Sequence, residues 1–392
     1  MKIAIVVHGR FHGFDLARAL IKRGHEVTVF TNYPKRAARK FGLPDERIRS
    51  FWLHGVVSRV LHRVGRAIPR LCFDAFVHRM FGRWAAGRTS RETWDVIYAF
   101  SGVAEEILRR KPQAARQRWV VRGSAHIFTQ DRLLAEEERR AGAAIERPSQ
   151  WMLRREQREY QLADRIVTLS SFSRNTFLEH GLPPEKVLLI PSGVDFDAFR
   201  PTGEIVTARW RRIRRREPLR VLFTGTVSLQ KGIFDLVEVI ERADPRHFQF
   251  RFVSNVTPDA AALLERVAGR IELGGRLAER ELPRRYEEAD LFVFPTIQDG
   301  FAAVLAQAHA NALPIIATTN CAAPDLIEEG KTGWVVPIRQ PAAIVERLRW
   351  CHEHREELAA MVERIYHEFR PRTWDDMAAD FERHLAAEAE AR

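Results

Sequence analysis

Apolar residues in this chain fall into short continuous runs, separated by stretches in which they recur every three or four positions. The first run, "KIAIVVHG" (2–9), ends in glycine and predicts a strand buried on both faces of a parallel sheet. Leu16, Ala17, Leu20 and Ile21 follow at helical spacing, Gly24 ends that helix, and "EVTVFT" supplies a second strand. Strand, helix and strand within about 30 residues make a βαβ unit. Its Gly9 and Gly13 fall in the loop at the carboxyl end of the first strand, where open α/β sheets bind ligands.

Further strands are expected at 95–100, 118–123, 165–170 and 186–193. The arginine-heavy stretch 200–218 interrupts the rhythm and reads as a linker with some helix. The alternation then restarts, with strands expected at 219–226, 248–254, 270–275, 290–295, 313–319 and 333–337. Such alternation predicts an α/β protein of two doubly wound domains. The expected boundaries are 1–199 for the first domain and 219–370 for the second. After residue 341 the chain reads as helices, broken at "FRPRTW", with the last segment, 371–392, expected to cross back to the first domain.

The length of 392 residues suits two domains, and 45% hydrophobic residues suffice for two cores. A net charge of +12 calls for an anionic partner without choosing among nucleic acid, anionic lipid and a phosphorylated ligand. Cys72, Cys321 and Cys351 show no metal-ligand spacing and fit a reducing compartment. No apolar run reaches the length of a membrane span. A soluble or peripherally attached intracellular protein is expected, in the cytoplasm or on the inner face of the plasma membrane.

Four segments carry a resemblance in the order "PSGVDFDAF" (191–199), "GTVSLQKG" (225–232), "DLFVFPTIQDGFAAVLAQAHANALPIIAT" (290–318) and "GKTGWVVP" (330–337). With "RGHEVTVFT" and "ADRIVTLSSFSR" in the first half, the chain resembles the retaining GT-B glycosyltransferases of family 4 over nearly its whole length. The resemblance implies two Rossmann-like domains facing a cleft, with a UDP- or GDP-sugar held mainly by the second and a glycan or lipid-linked acceptor by the first. It implies no cofactor beyond the nucleotide-sugar co-substrate. No metal is expected, on the reading that the sequence holds no Asp-x-Asp, and no nucleic acid, since no nucleic-acid module is visible. The expected activity is hexosyl transfer in bacterial cell-surface polysaccharide or glycoconjugate synthesis.

Family members carry a Glu-x7-Glu pair where this sequence has Asp299 and Gln307. The first carboxylate contacts donor-sugar hydroxyls and the second the ribose. Aspartate is one methylene shorter, and glutamine keeps an acceptor while losing the charge-assisted strength of a carboxylate. Gly300 and Phe301 complete that donor loop. Lys231, between a strand and a helix start, suits a diphosphate, since a cation and a helix N-terminus both attract anions. Thr226 stands where relatives often have arginine, and Arg276 after "ELGG" is a second candidate cation. Gly13 is expected to let the first helix approach the phosphates. His126 falls where the family places a histidine near the donor sugar and β-phosphate, flanked by Arg122 and Ser124, with Gln130 and Glu137 toward the acceptor. Ala312 replaces a family glycine, and Asn311 is expected to supply the left-handed helix end instead.

Plainer roles compete at each position: Asp299 as a helix cap, Lys231 as a solvated loop lysine, His126 as a structural histidine, Gln307 as a polar residue on a helix face. A catalytically degenerate sugar-nucleotide binder, a GT-B relative that epimerises or phosphorolyses sugars, and a basic nucleic-acid-binding protein ("RWRRIRRRE") are the rival functions. In 51–88, Val56, Val60, Val64, Ala67 and Leu71 recur at helical spacing beside Arg59, Arg63, Arg66 and Arg70, with Pro69 bounding the helix. Arg79, Arg83 and Arg88 continue the basic character among Phe73, Phe76, Phe81 and Trp84. Such a segment suits an anionic membrane surface; a core-packed helix with a solvated basic face is the alternative.

Overall fold

The structure is a computed structural model that describes residues 1–67, 73–110 and 115–390. Pro69, Arg70, Leu71 and Cys72 of the basic segment lie outside the described residues. The first sheet consists of β1 (Lys2–Val7), β2 (Glu26–Thr31), β3 (Ile48–Ser50), β4 (Trp94–Phe100), β5 (Ala115–Arg122), β6 (Arg165–Thr168) and β7 (Val187–Leu189). The second consists of β8 (Leu219–Thr224), β9 (Phe248–Val253), β10 (Ile271–Leu273), β11 (Leu291–Phe294), β12 (Ile315–Thr318) and β13 (Gly333–Val336).

All pairings between these strands are parallel, in the orders β3-β2-β1-β4-β5-β6-β7 and β10-β9-β8-β11-β12-β13. Parallel strands need crossover connections, which lay helices on the sheet faces. That is why runs such as Ile3–Val7 and Leu291–Phe294 are apolar throughout and fully buried. In each sheet the chain reverses direction of growth once, between β1 and β4 and between β8 and β11. A crevice opens at the carboxyl ends of the strands at such a point.

The stretch read as a linker contains the helix Gly203–Arg214, which buries Val206, Arg209 and Ile213 against the second sheet. Arg209 has no exposed surface; its guanidinium donates to the carbonyls of Ala289, Tyr286, Asn311 and Ala312 and to Asn311 Oδ1. Asn311 itself keeps φ −88°, while Ala312 takes the left-handed conformation at φ 58°. The expected cap at Asn311 is therefore corrected. Its side chain is already fixed by Arg209 and by the Phe199 carbonyl, so the next residue absorbs the turn. The last helix, Trp374–Glu390, buries Met377, Ala378, Phe381 and Leu385 in the core of the first domain. Arg23 ties it there through Asp375 and Glu382.

The basic segment forms two helices, Trp52–Ala67 and Asp74–Thr89. Val56 and Val60 are 44% and 52% exposed, so this part of the apolar stripe is not packed into the core. Trp52, Leu53 and Phe76 are also exposed, as are Arg59, Arg63, Arg79 and Arg83.

Candidate active site in the interdomain cleft

Both switch points face one cavity of about 600 Å³ between the domains. From the first domain its wall includes Arg10, Phe11, His12 and Asp15; from the second, Gly225, Lys231, Asp299, Phe301 and Gln307. The loop after β8 reaches Lys231 and then Gly232, whose φ of 77° suits glycine. A Cβ there would lie 1.8 Å from the Pro295 carbonyl oxygen, so only glycine permits this approach of the β8 and β11 loops. The helix Ile233–Arg242 starts at once, and its free N–H groups add partial positive charge beside the lysine.

Lys231 Nζ lies 2.5 Å from Asp299 Oδ2. Asp299 Oδ1 accepts from the backbone N–H of Phe301 (3.2 Å) and Ala302 (2.9 Å), just ahead of the helix Ala303–Ala310. The two readings of this aspartate thus coexist: one oxygen organises the turn and the other faces the cation. Gln307 Oε1 accepts from Tyr286 Oη (3.1 Å), which is also bonded to Thr224 (2.6 Å). Thr226 and Arg276 are exposed and do not line the cavity; Gly225 lines it in place of Thr226.

Gly300 is buried at the domain boundary, where a Cβ would come within 2.3 Å of the Gly123 carbonyl oxygen and 2.5 Å of the Ser124 nitrogen. Ser124 Oγ donates to Gln298 Oε1 across the same boundary at 2.7 Å. Gln298 is fully buried, and its amide nitrogen has no partner among the described residues. Phe301 inserts into the apolar cluster of the first domain. The loop 298–301 is therefore held from both sides, by Lys231 and by Gly123 and Ser124.

Other expected residues are placed elsewhere. Gly13 is buried where a Cβ would meet the Phe100 ring at 3.1 Å, so its missing side chain serves helix packing. His126 caps the helix Ile127–Ala141, accepting from Phe128 N, and stacks on His180 at 3.9 Å. It lines a separate cavity of about 420 Å³ with Tyr160 and Lys186. Burial, with His180 and Arg122 beside it, holds its imidazole down to about 3, so it is neutral near pH 7. Arg122 donates to Glu156 (2.9 Å) and Gln130, which engages both Arg122 and Gln130 in a partly buried network.

Glu137 has no exposed surface and accepts from Arg339 (3.0 Å) and Arg140 (3.2 Å). Arg339 also reaches Glu136 (2.7 Å), while Arg140 pairs with Asp235 in the helix that starts beside Lys231. Burial raises the Glu137 carboxyl against the pull of the two arginines. This cluster clasps the helix Ile127–Ala141 to the second domain and keeps Glu137 buried, off the wall of the cleft cavity. Nothing local marks Arg339 in the sequence, because its partners lie about 200 positions away.

The expectation that the chain lacks an Asp-x-Asp triplet is corrected: Asp195 and Asp197 form one, and Asp195 lines the cavity. Among the described residues no three His, Cys, Asp or Glu side chains gather as a metal site. Residues Phe11 (φ 38°), Ala302 (φ 62°) and Arg339 (φ 61°) hold positive φ without being glycine. Each such residue stores strain of order 1–3 kcal/mol, which tends to collect at functional positions.

Two Rossmann-like parallel sheets facing a cleft, with cation, carboxylate and helix N-termini at the switch points, define the GT-B architecture. The family description "Glycosyl transferases group 1" matches residues 218–354, and "Glycosyltransferase Family 4" matches residues 11–198. The chain belongs to the group 1, family 4 glycosyltransferases. It is 28% identical to a D-inositol 3-phosphate glycosyltransferase of Geodermatophilus obscurus, over 94% of this chain and 82% of that one. The match to the colanic acid biosynthesis glycosyltransferase WcaL of Escherichia coli, by its given name, is 24% identical and spans about half of each protein (54% and 55%). The structure of Anabaena HepE in complex with UDP and glucose superposes with a TM-score of 0.68, at 16% identity, over 99% of this chain and all of that one.

Proposed function

We propose that this chain moves a hexose from a nucleoside diphosphate sugar to a glycan or glycolipid acceptor, with retention and without a metal, in bacterial cell-surface polysaccharide or glycoconjugate synthesis. The observation that carries this reading is the Lys231–Asp299 pair at the mouth of two helices, inside a cavity shared by both domains. The second domain takes the donor: Lys231 and the start of the helix Ile233–Arg242 meet the diphosphate, and Gln307 meets the ribose. Diphosphate binding draws Lys231 away from Asp299, whose freed Oδ2 then accepts from hydroxyls of the donor sugar.

In the donor complex two backbone N–H groups hold Asp299 Oδ1 in the turn and Oδ2 accepts from donor-sugar hydroxyls, so this carboxylate is placed to hydrogen-bond the sugar rather than to attack C1. That supports front-face transfer. The bond from C1 to the diphosphate oxygen breaks, the acceptor hydroxyl oxygen bonds to C1 on the same face, and its proton passes to the departing diphosphate. The transition state is oxocarbenium-like, as in glycoside cleavage. The protein's part is positioning and stabilisation of the charge on the leaving group. The anionic groups in the relatives' names, UDP and inositol 3-phosphate, suit a cavity lined by Arg10, Arg18 and Lys231.

Thermal unfolding with UDP, GDP, ADP and CDP tests the donor site. One nucleotide at a hundredfold excess over its dissociation constant stabilises by about 2.7 kcal/mol, raising the midpoint by several degrees. Stabilisation by none of the four sinks the reading. EDTA in a transfer assay tests metal independence, and loss of turnover that an added divalent cation restores would overturn it.

The same reading places the acceptor at a membrane. Met1, Phe11, Val256 and Leu273 apart, every exposed large hydrophobic among the described residues is on the helices Trp52–Ala67 and Asp74–Thr89. Exposed arginines interleave with them, which suits an anionic interface. Among the described residues no helix is long and apolar enough to cross a membrane. Cosedimentation with vesicles containing phosphatidylglycerol should exceed that with phosphatidylcholine alone by about tenfold, and Trp52→Ser with Val60→Ser should abolish the difference. Equal binding to both vesicles, or none, excludes this surface.

A further inference from the structure

Phe11 is 65% exposed, although it lines the cleft rather than the outer surface. It follows β1 in the loop that leads to the helix Gly13–Lys22, and its φ of 38° is one that phenylalanine rarely adopts. Hydrogen bonds pin the loop just before it: Gly9 N donates to Asn32 Oδ1 (2.8 Å), and Thr31 Oγ1 donates to the Gly9 carbonyl (3.0 Å). One face of the Phe11 ring rests on Phe100, with centroids 5.6 Å apart and planes at 24°. Phe100 is in turn braced by Tyr98 and His12. A buried aromatic stack thus ends in one uncovered ring, on the first-domain wall of the cavity whose second-domain wall carries Lys231 and Asp299.

We infer that Phe11 is the platform on which the acceptor's sugar ring stacks. The inference rests on the reading of the cleft as a site of sugar transfer. A pyranose has an apolar face of C–H groups, whose partial positive charge matches the negative face of an aromatic ring. Its hydroxyls project around the rim, where Arg10 and His12 line the same wall. The donor's charged groups are accounted for by the second domain, so a platform on the first domain selects the other sugar. The strained backbone has a purpose on this account, because relaxing φ would swing the ring off its Phe100 support. The ring is a specificity element: it takes a hexose presenting a flat C–H face and discriminates against a linear polyol.

Saturation-transfer NMR tests the platform with methyl α-D-glucoside, methyl α-D-mannoside and methyl α-D-galactoside as probes, with and without UDP. Wild type, Phe11→Ala and Phe11→Tyr are compared, and the dissociation constant of UDP is measured for each. At least one glycoside should receive saturation on its ring C–H protons in the wild type and in Phe11→Tyr. In Phe11→Ala that affinity should fall about tenfold, the size expected for a lost stacking face. The UDP constant and the unfolding midpoint should stay close to wild type in all three. No transfer to any glycoside in the wild type, or equal transfer in Phe11→Ala, overturns the platform. UDP binding is read separately, so failure of the donor site would show as no UDP affinity in any protein, whatever the glycosides do.

Discussion

Replacing Lys231 with alanine is expected to lower the rate of sugar transfer by about 10²–10³-fold, the usual loss when one charge-stabilising donor leaves a preorganised site. Binding of the nucleoside diphosphate should weaken as well, by about 10–100-fold, which corresponds to one charge-assisted hydrogen bond of about 1.5–3 kcal/mol. The fold should survive. Lys231 is 17% exposed and Asp299 22%, so neither charge is left stranded in a dry interior when the other is removed. Asp299 also keeps its bonds to Phe301 and Ala302, so the turn into the helix Ala303–Ala310 remains organised. Steady-state kinetics with the nucleotide found by thermal unfolding, together with the midpoint of the variant, separates these effects. A variant with wild-type turnover would remove Lys231 from the mechanism and return it to the role of a solvated loop lysine.

The two kinds of site residue differ in how far they could be read in advance, and the difference is physical. Lys231, Asp299, Phe301 and Gln307 are set by local features: a buried strand, a tight turn and the first turn of a helix. Those features leave a mark in sequence, since each depends on neighbours within a few positions. The strands were legible for the same reason, except β3, where Ile48 alone is buried in a three-residue element. His126, Arg122 and Glu137 have surroundings built from afar. Thr176 and His180 hold His126, Glu156 holds Arg122, and Arg339 reaches Glu137 from the other domain. No pattern within a window of residues records those encounters. Arg209 shows the same limit: a run of arginines reads as a solvated linker, yet this one is buried because five distant backbone carbonyls converge on it.

Phe11, which stands in "HGRFHGF", escaped notice because exposure of an aromatic in a cleft is a property of tertiary structure. Gly300, by contrast, was visible as part of the donor loop, but the reason for it was not. Its importance lies in what it touches on the other domain, and that makes it the most direct probe of interdomain geometry.

Gly300→Ala is expected to lower transfer by about 10²-fold or more while leaving nucleotide binding nearly intact. A Cβ at this position would sit 2.3 Å from the Gly123 carbonyl oxygen and 2.4 Å from its carbon. Both are backbone atoms anchored by the end of β5, and no side chain can rotate away to make room. The three nearest atoms are all from Gly123 and Ser124, on the first domain. The strain is therefore relieved by parting the domains at their contact, which also stretches the Ser124–Gln298 hydrogen bond. A displacement of about 1 Å in reacting groups costs about 10²-fold in rate, and water admitted to the cleft weakens every charge interaction within it. Nucleoside diphosphate binding, read by thermal unfolding, depends on Lys231 and the helix Ile233–Arg242 and should change by less than about threefold, since both belong to the second domain. Small-angle scattering should show a larger radius of gyration for the variant than for wild type with the same nucleotide. Full activity in Gly300→Ala would mean that the two domains need not meet at Gly123 for transfer.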